Sequence, residues 1–258
     1  FWVESHERRA MKAKSSNKCV SAFKKYLYMK FDGYCLPGMY AEEAMDHFVG
    51  KHGQRLRLPN LVDDVSYQHA ISKRKDTYEL RLKYGIPAKK RVFFCPARLL
   101  KLKGLDLFLK SAGKVKGISK ACFLLAGEGP MKKELQDIAD KENLDVHFMG
   151  YCNQDTVIEF YALSDFFFLP SLQDCNPLSA IEAAFAGLPL CVSIYTGNSP
   201  ELIQPYKNGV VFDILDTEEV QACIYFLLNA SEEWVSNAGR ELQLHRTLLP
   251  VSMRQKNF

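Results

Sequence analysis

The pattern of apolar and polar positions changes near residue 91. Beyond this point, short runs rich in aromatic and β-branched residues alternate with stretches of helical periodicity. Strands that are apolar on both faces and separated by helices predict a parallel sheet covered on both sides, the doubly wound α/β architecture. The predicted strands are RVFFCPA, ACFLLAG, VHFMG, FFFLP, LPLCVS and GVVFD, and the predicted helices lie at about 104–116, 131–143, 155–164, 177–187 and 217–230.

The pattern before residue 91 is less regular. FWVES reads as part of a strand, and a long polar helix is predicted to end near Met29. FDGYCLPG reads as a second strand, AEEAMDHFVG as a short helix ended by Gly50, and RLRLPNLVDD as a strand leading into a linker. Residues 66–90 are charged and helical in pattern up to a Gly-Ile-Pro turn. Because the chain opens within a strand pattern and without Met, we expect further residues upstream.

Composition indicates an ordinary globular chain. At 258 residues and 47% hydrophobic residues, it can form one large or two modest domains. Its eight cysteines are widely spread without a C-x-x-C pair, which favours reduced thiols in a cytoplasmic protein over a disulfide framework. No apolar run approaches the roughly 18 residues that span a bilayer, and no signal peptide precedes the first strand, so an integral membrane protein is not expected.

The charge is unevenly distributed. The net charge is +4, but residues 1–30 carry eight Lys and Arg against two Glu. This basic end suits peripheral contact with anionic lipid at the inner face of a membrane, although a solvated helix face explains it equally well. A nucleic-acid partner is not expected, because a recognised motif and the stacking aromatics of a single-strand binder are both lacking.

Cations follow the first strand of the regular region. The segment PARLLKLKG places Arg98, Lys101 and Lys103 in a loop at the carboxyl edge of the sheet, where ligands of doubly wound folds bind. Arg holds phosphate oxygens through a fork of donors and Lys through a point charge, so the cluster suits a diphosphate. A solvated loop is the alternative.

The next two strands end in glycines. AGEGP (126–130) allows a sharp turn and a close approach of backbone to a ligand, with Glu128 read as a solvated turn residue. The third strand ends at Gly150 and Tyr151, where backbone groups could meet a flat base. Ordinary loop geometry accounts for both turns as well. By the usual rule for apolar strands, Tyr151 and Phe166–Phe168 would be core, and His147 would be packed or capped.

The fourth strand leads into LPSLQDCNPLSAIEAAFAGLP (169–189). Asn176 fits the N-cap and Pro177 the first helical position, so the N–H groups of the helix offer a phosphate site. Asp174 precedes the helix, and Glu182 lies five residues beyond Pro177, or about 7.5 Å along the helix axis. The helix is apolar nearly all round, so Glu182 needs donors from outside it. Carboxylates would repel the anion itself, so we expect them to accept hydrogen bonds from hydroxyl groups on either side of it. A nucleotide sugar has this layout, with ribose hydroxyls at one end, a diphosphate in the middle and sugar hydroxyls at the other end.

Asp174-x7-Glu182 followed by AAFAGLP resembles the E-x7-E signature of family 4 glycosyltransferases. PARLLKLKG, AGEGP, VHFMGY, YALSDFFFLPS and TGNSPELI resemble the same family, in its order and spacing, across residues 91–213. The resemblance implies the GT-B fold, in which two Rossmann-like domains face each other across a cleft. Residues 1–65 would then be the incomplete end of the acceptor-side N-terminal domain, and residues 66–258 the C-terminal domain that binds the donor.

The resemblance also implies roles for individual residues. The donor diphosphate is assigned to Arg98 and Lys103, the ribose hydroxyls to Glu182, and the sugar hydroxyls to Asp174, where the family usually has Glu. Amides near Cys175 and Asn176 would add phosphate contacts, Gly150 and Tyr151 would border the base, and Gly127 would let the backbone approach the ligand. His6, just past a predicted strand, stands where some relatives place a functional His, although a surface His is the alternative.

The implied reaction is transfer of a sugar from a UDP- or GDP-sugar with retention of configuration, onto a sugar, lipid-linked or polysaccharide acceptor. The leaving phosphate would assist the acceptor hydroxyl. A metal is not expected, because the chain contains no D-x-D. Three alternatives stay open: a non-catalytic nucleotide-binding or interaction module, a sugar-nucleotide epimerase, and a nicotinamide-dependent oxidoreductase. The last is disfavoured because no strand is followed by G-x-G-x-x-G with an acidic residue about 20 positions on.

Overall fold

The computed structural model describes residues 18–58, 60, 62–74 and 77–245. Its strands form a two-stranded sheet near the N-terminus and a six-stranded sheet in the rest of the chain, both of them parallel. The predicted strand at 1–5 and His6 lie outside the described residues.

The N-terminal part contains two short strands and two helices: α1 (Lys18–Tyr28), β1 (Gly33–Leu36), α2 (Met39–Val49) and β2 (Gln54–Arg57). The strands pair in parallel, and α2 ends at Gly50, which adopts a positive φ of 59°. The small core of this part consists of buried apolar residues of β1 and α2: Tyr34, Leu36, Ala41, Met45 and Val49. The predicted order of elements is therefore confirmed for the described residues.

Two helices, α3 (Asp64–Lys73) and α4 (Thr77–Lys83), occupy the region predicted as one charged helical stretch. Asp63 caps α3, and its carboxylate accepts the amide of Ser66. Buried Arg81 of α4 binds the carbonyl of Leu163 and the carboxylate of Asp165, 2.9 Å away, and so fastens α4 to the main domain. These helices are therefore part of the packing of the larger sheet.

The six strands of the main sheet are ordered β5-β4-β3-β6-β7-β8. They are β3 (Arg91–Pro96), β4 (Ala121–Ala126), β5 (Val146–Gly150), β6 (Phe166–Leu169), β7 (Leu190–Ser193) and β8 (Gly209–Phe212). The strand order reverses between β3 and β6, which is the switch point where doubly wound sheets bind ligands. The predicted Rossmann-like α/β fold is confirmed, with every predicted strand of the regular region in place.

The remaining helices are α5 (Leu105–Ala112), α6 (Lys132–Lys141), α7 (Gln154–Leu163), α8 (Leu178–Phe185), α9 (Ser199–Leu202), α10 (Thr217–Leu228) and α11 (Glu232–His245). The sequence pattern missed α9 and α11. α9 is four residues long and too short to show a period, and α11 follows Asn229 at the end of the predicted helix.

The core is formed by strands whose side chains are buried on both faces. β4 and β6 are buried along their whole length, and Phe108 stacks on Phe168 with ring centroids 4.7 Å apart. Phe166–Phe168 are therefore core, as predicted. All eight cysteines are free thiols. None of the helices in the described part of the chain has both the length and the apolar character needed to cross a bilayer.

Candidate functional site

The loops that follow β3 and β6 meet at the switch point. Residues 101–103 form a 3-10 turn, and the amide of Leu172 donates to the carbonyl of Leu102 at 2.8 Å. Gly104 ends the turn with a φ of 64°, and a Cβ there would lie 2.1 Å from the carbonyl oxygen of Pro170. Glycine at 104 thus permits the close contact that brings the cationic loop against the loop carrying Asp174.

Lys103 and Asp174 form an ion pair across these two loops. Both side chains are mostly buried, with 21% and 16% of their surface exposed. Asp174 is also within 3.5 Å of the hydroxyl of Ser171. The side chains assigned to the diphosphate and to the sugar hydroxyls thus lie in direct contact, and a phosphate that takes the ammonium group of Lys103 competes with Asp174 for it.

Lys101 does not join this group. Its ammonium group lies 2.6 Å from Asp106, whose side chain is 1% exposed, and 4.0 Å from Glu134. The prediction that Lys101 joins Arg98 and Lys103 at an anion is therefore wrong, because the buried carboxylate of Asp106 needs a charged partner and takes Lys101.

Arg98 is exposed beside the same loop. Within the described part of the chain, its guanidinium group forms no hydrogen bond or ion pair. The AGEGP turn packs behind it, since a Cβ on Gly127, which has a φ of 148°, would lie 2.1 Å from the carbonyl oxygen of Ala97. The amide of Gly127 donates to the carbonyl of Gly150 at 2.7 Å. Because Gly127 has no Cβ, the turn can pack directly against the backbone of Ala97. The side chain of Arg98 stays exposed and accessible to a ligand.

The segment 174–177 is fastened to the loop after β7. The backbone amide of Gly197 donates to the carbonyl of Asp174 at 2.8 Å, and the side-chain amide of Asn198 donates to the carbonyl of Pro177 at 2.9 Å. A Cβ on Gly197 would lie 1.7 Å from the carbonyl oxygen of Cys175, so this position requires glycine for packing. The half-buried Cys175 is held between these anchored neighbours.

The predicted cap of α8 is wrong by one residue. Pro177 is the N-cap, with an extended ψ of 122°, and the helix begins at Leu178. Asn176 is buried, and neither polar atom of its side chain has a hydrogen-bond partner in the described part of the chain. The N-cap has no side-chain hydrogen bond, because Pro177 has no side-chain acceptor. The first N–H groups of α8 therefore remain available for an anion.

Glu182 lies on the otherwise apolar face of α8 that packs against α3. The hydroxyl of Tyr161 lies 3.0 Å from Oε2 of Glu182 and 3.1 Å from the carbonyl of Ser179. Tyr67 of α3 also faces this carboxylate, close enough for its hydroxyl to lower the pKa of Glu182. Burial raises the pKa of Glu182, and the tyrosine hydrogen bonds oppose that rise. The donors that the helix cannot supply therefore come from α7 and α3.

A cavity of about 480 Å³ opens over Glu182. Its walls come from the end of β3, the loop before α3, the start of α7 and the first turns of α8. They are formed by Val62, Asp63, Tyr67, Pro96, Cys152, Gln154, Val157, Leu178, Ser179 and Glu182. The cavity combines an apolar wall with a few polar groups, as small-molecule sites do.

The two residues assigned to the base, Gly150 and Tyr151, are not among the residues that line the cavity. Gly150 has a φ of 68°, and a Cβ there would lie 2.8 Å from Oε1 of Glu128. Tyr151 is 87% exposed, so its placement in the core is wrong; it follows the last residue of β5 and projects beyond the sheet. Cys152, one position on, lines the cavity instead.

Nε2 of His147 lies 3.0 Å from Oδ1 of Asp145 and donates to that carboxylate, which agrees with a packed or capped residue. Cys122, Asp145 and His147 form the one trio of potential metal ligands among the described residues, with ligand atoms within 4.8 Å of one another. Asp145 also binds Lys90 at 2.9 Å. The trio lies near the amino ends of β4 and β5, at the edge opposite the loops described above.

Sequence reasoning missed the two tyrosines and Gln154. A buried tyrosine needs a partner for its hydroxyl, and this rule could have singled out Tyr161 in the apolar run FYALSDFFF. Tyr67 gave no such signal, because it lies in the charged segment before residue 91, whose contact with α8 is not visible in the sequence.

Comparison with known proteins identifies relatives of the whole C-terminal region. The family described as "Glycosyl transferases group 1" matches residues 76–240. Sulfoquinovosyl transferase SQD2 of Arabidopsis thaliana is 31% identical over 193 residues, which cover 72% of this chain and 36% of the relative. Alpha-monoglucosyldiacylglycerol synthase of Streptococcus pneumoniae is 25% identical over 198 residues, which cover 73% of this chain and 42% of the relative. The chain thus spans less than half the length of these two proteins.

Solved structures share the fold. A sucrose-phosphate synthase from Thermosynechococcus elongatus superposes with a TM-score of 0.76 at 19% identity, over 92% of this chain and 60% of that one. The Anabaena protein HepE, in complex with UDP and glucose, superposes with a TM-score of 0.71 at 16% identity, over 93% of this chain and 65% of that one.

Proposed function

The chain belongs to the family of group 1 glycosyl transferases, and from this premise we propose that it is the donor-binding part of a glycosyltransferase that uses a nucleotide sugar. The observation that carries the proposal is the half-buried carboxylate of Glu182, which lines a cavity beside the switch point of the sheet. UDP accompanies one structural neighbour, and GDP-mannose serves a relative from Corynebacterium glutamicum, so both nucleotides are candidates.

In this proposal the donor lies across the loops after β3 and β6. Glu182 accepts hydrogen bonds from the ribose, while Lys103 and Arg98 bind the diphosphate together with the N-terminus of α8. Asp174 accepts hydrogen bonds from the transferred sugar, and amides near Cys175 and Asn176 add phosphate contacts. Gly127 and Gly150 shape the backbone beside the site, and Tyr151 borders the base. His6 lies outside the described residues and stays a sequence prediction.

Transfer is proposed to occur with retention, with the leaving diphosphate assisting the acceptor hydroxyl on the same face. Such a reaction depends on positioning and on stabilising the charge of the departing phosphate. The cations and the helix N-terminus supply that charge, so no protein nucleophile is needed. A metal ligand set is not proposed, because the trio of Cys122, Asp145 and His147 lies at the opposite edge of the sheet.

The domain division at residue 65 is also proposed. Residues 1–65 would belong to an N-terminal lobe that completes the cleft and holds most of the acceptor site. A parallel pair such as β1 and β2 is not stable as an isolated sheet, which supports further strands beside it. The acceptor is proposed to be a sugar, a polysaccharide or a lipid-linked hydroxyl, as the names of the relatives suggest.

Peripheral contact with a membrane is supported by α1. Val20, Phe23 and Tyr26 are exposed on it, at 50%, 61% and 59%, and Lys24 and Lys25 lie beside them. Basic helices with an exposed apolar face bind anionic lipid surfaces. Flotation with anionic and neutral vesicles tests this: binding should require the anionic lipid and weaken in Phe23→Ser. If the face instead packs on the remaining lobe, a longer protein that includes that lobe will not float.

Calorimetry with UDP and GDP on the wild type, Glu182→Ala and Glu218→Ala tests the main proposal. Loss of hydrogen bonds to a carboxylate should cost about 1.5–3 kcal/mol, or roughly 10- to 150-fold in affinity. Glu218 is exposed at the start of α10 and serves as the control. Affinity that is undiminished in Glu182→Ala would contradict the proposal. The alternatives give different results. A non-catalytic module would bind the nucleotide but would transfer no sugar even with its N-terminal lobe present. An epimerase would form product without an acceptor, and an oxidoreductase would bind NAD.

A further inference from the structure

The carboxylate of Glu182 is held from two helices at once. Tyr161 reaches it from α7 at 3.0 Å, and Tyr67 reaches it from α3. The two rings pack edge to face, with centroids 5.6 Å apart and an interplanar angle of 85°. Both tyrosines are buried, and burial raises the pKa of each hydroxyl, so both remain neutral donors beside the carboxylate.

The helix that carries Tyr67 is fixed in place. α3 packs against both α7 and α8, and Arg74 at its end donates to the carbonyl of Gly187 in the turn after α8, at 3.3 Å. Tyr67 also lines the cavity together with Gln154 at the start of α7. It lies outside residues 76–240, so a group that holds the key carboxylate comes from a part of the chain that the family match does not cover.

The number of acceptor positions on Glu182 defines what the cavity can bind. An ionised carboxylate has about four acceptor positions. Tyr161 occupies one of these and shares its proton with the carbonyl of Ser179, and Tyr67 faces a second. Because Glu182 also lines the cavity, about two acceptor positions remain for a ligand. Two adjacent hydroxyl groups, each donating once, fit that remainder.

We propose that Tyr67 and Tyr161 are positioning residues that hold Glu182 ionised and oriented, so that its two remaining acceptor positions select a ligand with a vicinal diol, the ribose of a ribonucleotide. This rests on the proposed function, because it takes the nucleotide as the ligand of the cavity. The tyrosines act through Glu182 and need not contact the ribose. Other titratable groups near the cluster are Asp63 and Cys152, which line the cavity, and Cys95, which lies near Tyr161.

The test measures the affinity of wild type and Tyr67→Phe for whichever of UDP and GDP binds, and for its 2′,3′-dideoxy analogue, between pH 5 and pH 9. Loss of one hydrogen-bond donor should weaken ribonucleotide binding about fivefold at pH 7. Binding of the dideoxy analogue should change little, because it lacks the diol. The tyrosine hydrogen bonds lower the pKa of Glu182, so their loss raises it, and the acid limb of the binding profile should move to higher pH in the variant.

Tyr84→Phe is the matched control, since Tyr84 donates to Glu159 at 2.5 Å in another half-buried tyrosine–carboxylate pair that does not line the cavity. Tyr161→Phe keeps the buried ring and supplies a second test if Tyr67→Phe melts early. The positioning role is overturned if the tyrosine variants keep the wild-type pH profile and discriminate against the analogue as well as the wild type does. The proposed function survives that result if the wild type binds the nucleotide and Glu182→Ala does not. If neither nucleotide binds the wild type, both are overturned.

Discussion

Replacing Asp174 by Asn should strengthen the binding of a nucleoside diphosphate that carries no sugar. In the structure the ammonium group of Lys103 is paired with Asp174. If Lys103 binds the diphosphate, the ligand must draw it away from Asp174 and must also tolerate a carboxylate nearby. The Asn variant removes both obstacles while it keeps the size of the side chain.

The magnitude follows from the exposure of the pair. Fully exposed ion pairs contribute up to about 1 kcal/mol, and the Lys103–Asp174 pair, with about one fifth of each side chain exposed, belongs at the upper end of that range. Releasing Lys103 should therefore improve the affinity for UDP or GDP by about fivefold. The gain should shrink at high salt, because screening weakens both the pair and the repulsion.

Calorimetry on a cycle of single and double variants measures this effect. Asp174→Asn should raise the affinity in the wild-type background. In a Lys103→Met background the part of the gain that acts through Lys103 should be lost, and only the relief of carboxylate repulsion should remain. Asp137→Asn, which breaks the exposed Lys133–Asp137 pair at 2.7 Å on α6, is the control and should leave the affinity unchanged. An unchanged or weaker affinity in Asp174→Asn would refute the role of Lys103 as a phosphate ligand.

Three further predictions concern the loop after β3 and Glu182 of α8. Arg98→Ala should weaken UDP or GDP about tenfold and leave the binding of uridine or guanosine unchanged, since the exposed guanidinium group meets only the phosphates; equal losses for nucleotide and nucleoside would contradict this. The Glu182→Gln variant should gain stability relative to the wild type as the pH rises from 5 to 8. The pKa of Glu182 is raised in the folded protein, so the wild type loses folding stability when this carboxylate ionises, whereas Gln does not titrate. A difference in melting temperature that does not change with pH would oppose this. Gly104→Ala should cost about 2 kcal/mol or more of folding stability, because its φ is positive and the added Cβ meets the carbonyl of Pro170; denaturant unfolding that shows no loss would count against the packing described for the loop.

The main sheet could be predicted because its strands are marked twice, by apolar side chains on both faces and by the helices between them. Phe166–Phe168 illustrates this, since three consecutive aromatic residues suit only a strand covered on both sides. The strand order is less visible in the sequence. The structure supplies it by pairing β3 with β6, which brings the loops after these two strands side by side.

The details of the site were harder to predict because they depend on contacts between distant segments. Asn176 has the chemistry of an N-cap, yet the helix begins two residues later, because the carbonyl of Pro177 is tied to Asn198. Lys101 has the chemistry of a phosphate ligand, yet it serves the buried carboxylate of Asp106. Propensity describes what each residue can do, and packing between loops decides which of these options is used.

The need of Glu182 for external donors was predictable from its apolar helix, but their identity was not. Tyr67 reaches it from α3, more than a hundred residues away in sequence. Such a contact leaves no local pattern. Its physical signature, a buried polar group with a partner, becomes visible only in three dimensions.

The most direct test of the central claim is a crystal structure of the chain with bound UDP or GDP. The account predicts the ribose hydroxyls within 3.2 Å or so of the carboxylate of Glu182, a distance typical of hydrogen bonds, and the diphosphate between Lys103, Arg98 and the first turn of α8. A nucleotide bound elsewhere, or one in this cavity with its ribose turned away from Glu182, would contradict it.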